Sequence, residues 1–73
     1  LGPKQKEEAE RGWSIQNKRY GFSGLTVQEA AERIDTDPEL DADEKETRKS
    51  ILMLWFIQAG KTYAKAEREA ATR

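Results

Sequence analysis

The side chains that could do chemistry here are few in kind. The chain has no cysteine and no histidine. Disulfides, thiolate and imidazole metal sites, and Cys or His nucleophile–base pairs are therefore excluded. Carboxylates remain: Asp35, Asp37, Glu39, Asp41, Asp43 and Glu46 crowd one short stretch. Two carboxylates act as general acid and base only where a concave apolar site separates their pKa values. A chain of 73 residues has little material for such a cavity, and no nucleophile–base set accompanies the acids. We expect no enzyme and assign no catalytic residue. A second set is basic and aromatic, with Arg11, Lys18 and Arg19 interleaved with Trp13, Tyr20 and Phe22. Cations of this kind pair with phosphates and aromatic rings stack on bases. Arg11, Trp13, Lys18, Arg19 and Tyr20 are the candidates for nucleic-acid contact.

The acids stand at loop positions 1, 3, 5, 7, 9 and 12 of a stretch with helix-forming sequence on both sides, and in this they resemble the EF-hand calcium-binding family. The resemblance implies calcium held by those six side chains. Position six, where the sharp turn needs glycine, is Leu40; Pro38 and Ala42 also depart from the pattern. A helix start rich in acids accounts for the same residues, so no metal ligand and no cofactor is expected. Gly60-Lys61-Thr62 matches the end of a phosphate-binding P-loop, but Trp55 stands where the first glycine is required. Leu25 to Ile34 resembles the first helix of many bacterial helix-turn-helix proteins. That resemblance implies a following helix in the major groove. Here the following helix opens Glu39-Leu40-Asp41-Ala42-Asp43-Glu44, which phosphates repel.

The elements that position these groups are organised around Ile51-Leu52-Met53-Leu54-Trp55-Phe56-Ile57, the one dense apolar run. It is too short to span a bilayer, which takes about 20 residues. Its flanks are rich in helix formers, and no Pro or Gly stands between Pro38 and Gly60. The sequence predicts one long helix from Pro38 or Asp41 to about Ala70, weakened at Gly60, with two helices broken there as the alternative. Acids at its start and Lys61, Lys65 and Arg68 toward its end suit the helix dipole. Thr26 and Glu29 form a capping box that opens a helix over about Val27 to Ile34, with Val27, Ala30, Ala31 and Ile34 as its apolar stripe. Asp35-Thr36-Asp37-Pro38 ends that helix. Asp41 and Glu44 offer a second box.

The N-terminal part reads differently. Residues 1–11 are expected as a polar segment that frays or is disordered, and Leu1-Gly2-Pro3 has the look of a cloning or protease scar. Residues 12–73 are expected as one small helical domain. Gly12 to Gly24 contains three glycines and irregularly spaced aromatics, which predicts an ordered loop lying across the long helix. Trp13, Ile15, Tyr20 and Phe22 are its contribution to the core. The fold class is all-α: a short capped helix, a tight turn and a long central helix, with the aromatic loop packed across them.

Apolar residues are scarce for so small a chain, and small domains lean on staples or association. With disulfides and thiolate or imidazole metal sites excluded, association remains. An apolar run that one short helix cannot cover on all sides calls for a partner. The expected function is a non-enzymatic protein-interaction or self-association module, most simply a homodimer. Ile51, Leu54, Trp55, Phe56 and Ile57 are the candidate interface; nucleic-acid binding through the basic-aromatic stretch is the alternative. Charge is unevenly distributed: five basic and three acidic groups in residues 1–24, two and nine in 25–47, six and two in 48–73. Lack of cysteine fits a cytoplasmic setting better than a secreted one.

Overall fold

The computed structural model describes residues 1–72. It is all-α, as the sequence predicts. Helix α1 spans Pro3–Gln16, α2 spans Val27–Asp35 and α3 spans Ala42–Ala71; a single 3₁₀ turn, Asn17–Tyr20, follows α1. Helix α3 is the axis of the molecule and passes through Gly60 without a break.

Both capping boxes are formed. The Glu29 amide donates to Thr26 Oγ1 at 3.1 Å while the Thr26 amide donates to Glu29 Oε1 at 2.9 Å. The same reciprocal pair joins Asp41 and Glu44 at 2.8 and 3.2 Å and starts α3 at Ala42 rather than at Pro38. The Thr26 backbone amide, then its hydroxyl, holds the Glu29 carboxyl below its ordinary 4.5. A lowered folded-state pKa stabilises the folded chain above the unfolded value. That contribution is lost as pH falls through the folded value. Thr26→Ala and Asp41→Ala are each expected to cost about 1 kcal/mol, a loss of about 4–8 °C in the thermal midpoint. Melts unchanged in both variants would show that the caps contribute nothing.

Two findings differ from the sequence reading. The first helix runs on through Gly12 to Gln16, so residues 12–16 are helical and the irregular aromatic segment begins only at Asn17. Residues 3–11, expected to fray, are the first turns of this helix, and Ala9 within them is buried. The reason is a close helix crossing. Ala9, Gly12 and Trp13 lie on one face of α1 at i, i+3 and i+4, and Ala59 and Gly60 lie beneath them on α3. A Cβ at Gly12 would stand 2.0 Å from the Ala59 carbonyl oxygen, and one at Gly60 would stand 2.8 Å from Ala9 Cα. The two glycines let the backbones touch. Contacts later in α1 meet earlier residues of α3, from Arg11 on Tyr63 to Trp13 on Phe56, so the two helices run in opposite directions.

The core is Ala9, Trp13, Ala30, Ile34, Leu52 and Phe56, with Tyr20, Phe22, Val27, Leu40 and Trp55 packed around it. Helix α2 adds Ala30 and Ile34 from the face its stripe predicts. Lys49 of α3 ties α2 down at its end, reaching Asp35 at 2.9 Å and Glu46 at 3.1 Å. Those carboxylates, Asp35 first, hold the Lys49 pKa above its ordinary value.

Candidate interaction surface

The aromatic segment forms an ordered structure over α3. Asn17 organises it. Its carbonyl accepts from the Phe22 amide at 3.0 Å, and its side-chain oxygen accepts from the Gly24 amide at 3.3 Å. Gly21 and Gly24 supply the left-handed turns this needs, with φ of 84° and 76°. The segment delivers its rings to Trp13. Trp13 and Tyr20 are parallel, 5.9 Å between centroids, and Tyr20 in turn stacks on Trp55 at 4.8 Å. Phe22 and Phe56 close the other sides of Trp13, and its indole N–H donates to the Leu25 carbonyl at 2.9 Å.

This arrangement separates the nucleic-acid candidates. Trp13 is 3% exposed and its rings and N–H are fully engaged inside the domain. It cannot stack on a base without unfolding the segment. Tyr20 is half-buried between two indoles. Arg11 is exposed at the edge of the α1–α3 contact, donating to Glu7 at 2.8 Å and to the Tyr63 hydroxyl at 3.4 Å. Lys18 and Arg19 are exposed on the 3₁₀ turn. No surface gathers these five residues with an open aromatic face.

The interface candidates divide as helical geometry requires. Leu54 and Phe56 are two residues apart, about 200° around the axis. Phe56 is 5% exposed and belongs to the core. It serves the domain's own packing. Leu54 points the other way and is 65% exposed. Ile51 is exposed at 39% and Met53 at 48%; Ile57 is half-buried. Trp55 is half-buried under Tyr20. Ile51 and Trp55 also border a shallow groove of about 670 Å³, floored by Tyr20, Phe22 and Ile34 and rimmed by Asp43, Glu44 and Arg48. The sequence reading missed Met53 as a surface residue and placed Ile15 in the core, whereas Ile15 is 66% exposed. Once residues 12–16 are helical, Ile15 must face away from the Ala9, Gly12 and Trp13 face.

The acidic stretch has other uses. Asp41 caps α3, Asp37 accepts from the Glu39 amide at 2.9 Å, and Asp35 pairs with Lys49. Among the described residues no three acids converge to hold a metal ion. Gly60-Lys61-Thr62 lies within α3 and makes no loop. Among the described residues no helix is long and apolar enough to cross a membrane. Comparison with protein-family models, characterised proteins and solved structures gives no match. The fold and surface define a small three-helix domain with an uncovered apolar strip on its longest helix.

Proposed function

We propose that this chain is a non-enzymatic interaction module that associates with itself through the outer face of α3. One observation supports it above the rest: Leu54, at the middle of a thirty-residue helix, is 65% exposed. Ile51, Met53 and Ile57 flank it, so the exposure is a strip and not a scattered residue. Single exposed apolar side chains are ordinary, but contiguous ones mark contact surfaces. The domain already has a core without them, since Leu52, Phe56 and Ala59 fill the inner face. The interaction reading ranks above nucleic-acid binding because Trp13 and Tyr20, the aromatic half of that alternative, are engaged in the fold.

The test is solution mass by light scattering over a concentration series. The parent is expected to associate as concentration rises. Leu54→Glu is expected to stay monomeric with the parent's helicity and with the melting midpoint the parent has when diluted to monomer, because a surface change away from the core moves stability by no more than about 0.5 kcal/mol. A parent that is monomeric throughout, or an association that Leu54→Glu leaves intact, overturns the reading.

A further inference from the structure

We infer that α3 pairs antiparallel with the α3 of a second copy, about a twofold axis at Leu54; this rests on the self-association reading above. The ground for it is the order of groups along one side of the helix. At about 100° per residue, Asp43, Thr47, Leu54, Ile57, Lys61 and Lys65 fall within about 80° of arc. All are exposed except Ile57, which is half-buried. The stripe lies on the side of α3 away from Leu52, Phe56 and Ala59; α1 comes beside it at Leu1, Gln5 and Glu8, next to Ile57, Lys61 and Lys65, and leaves Leu54 exposed.

The stripe is self-complementary in one direction only. An axis at Leu54 sets Leu54 on its own copy, Thr47 on Lys61 and Asp43 on Lys65, with Ile51 and Ile57 on either flank of the centre. The acidic start of one α3, around Asp41, Asp43 and Glu44, then meets the basic end of the other, around Lys61, Lys65 and Arg68. Parallel pairing sets acid on acid and base on base. A twofold contact must match a surface to itself, and this one does so by charge as well as by shape. Opposed helix dipoles add in the same sense. Among the described residues, Asp43 and Lys61 have no ion-pair partner within the chain. Lys65 has Glu69 at 3.9 Å, an exposed contact that is readily exchanged.

The apolar centre is short, so charge sets the direction and contributes to affinity. Association is therefore expected to weaken as salt rises, since the paired charges are exposed.

Cross-linking decides the geometry, and the chain's lack of cysteine makes it clean. Thr47→Cys and Lys61→Cys are surface changes, each giving a single thiol. A disulfide forms only where Cα atoms come within about 4.4–6.8 Å. Mild oxidation of an equal mixture of the two variants is expected to give the 47–61 heterodimer well beyond the statistical mixture. Each variant alone is expected to remain largely unlinked, whereas Leu54→Cys links to itself. Self-linked 47–47 and 61–61 products, or a purely statistical mixture, overturn the antiparallel pairing while the self-association reading stands. Parent chains that never dimerise, or dimers that survive Leu54→Glu, overturn both.

Discussion

Gly12→Ala is expected to unfold most of the domain at room temperature, although alanine is the better helix former by about 1 kcal/mol. The added Cβ would stand 2.0 Å from the Ala59 oxygen, 2.4 Å from its carbonyl carbon and 2.9 Å from the Gly60 nitrogen. All three are backbone atoms of α3, so no side chain can rotate out of the way. The helices must separate, and Trp13, one residue along α1, must leave its place with them. Overpacking of a tight core costs about 1–3 kcal/mol and occasionally more. A clash of backbone with a fixed methyl belongs at the upper end. Single cores of this size rarely hold more than about 3–5 kcal/mol in all, so little reserve remains. Gly60→Ala, whose nearest contact would be 2.8 Å, is expected to act the same way with a smaller effect. The measurement is the thermal midpoint by circular dichroism, with Ser14→Ala on the exposed side of the same helix as the control. A Gly12→Ala melt at or above the parent's would show that the crossing is looser than described.

That crossing is also the part of the fold least legible in the sequence. Residue by residue, glycine reads as a helix breaker, and two more glycines within the next twelve residues strengthen that reading. Its tertiary role depends on which helix lies against it, and local propensity carries no such information. A signal existed in the pattern: Ala9, Gly12 and Trp13 share the i, i+3, i+4 spacing of a buried face. The capped starts of α2 and α3 were legible because their hydrogen bonds close within four residues. Thr26 with Glu29 and Asp41 with Glu44 need no distant partner. The continuous path of α3 through Gly60 followed from the helix formers on either side.

The candidate interface was legible as a run and not as a face. Seven consecutive apolar residues wrap around a helix, so some must point inward once a second element packs on them. Which of them do so is set by α1. Its small residues dock over Ala59 and Gly60 and thereby turn Leu52 and Phe56 inward, leaving Leu54 outside. The sequence reading did not foresee α1 as a packing element, so it placed Phe56 with Leu54. The same omission made the basic and aromatic residues look like one surface. With Trp13 on α1 and Tyr20 on the 3₁₀ turn, the rings face inward and Lys18 and Arg19 face out.

Trp13→Ala is the second large effect, and it tests how the aromatic segment is held. Trp13 touches Tyr20, Phe22 and Phe56, and its indole N–H satisfies the Leu25 carbonyl just before the α2 cap. Large aromatic truncations in a core cost about 3–5 kcal/mol. That matches the whole stability available to a domain of this size, so the variant is expected to be largely unfolded in the absence of denaturant. Trp13→Phe keeps a ring beside Tyr20 and Phe56 but removes the hydrogen bond, and is expected to fold with a lowered urea midpoint. The pair separates folding from association. Because Trp13 lies on the opposite side of α3 from Leu54, folded Trp13→Phe should still associate, whereas Leu54→Glu should fold fully and stay monomeric. A Trp13→Ala chain with the parent's urea midpoint would mean the ring cluster does not hold the segment. A Trp13→Phe chain that folds but no longer associates would mean that the contact surface extends to the aromatic side of the molecule, against the outer face of α3 as the site.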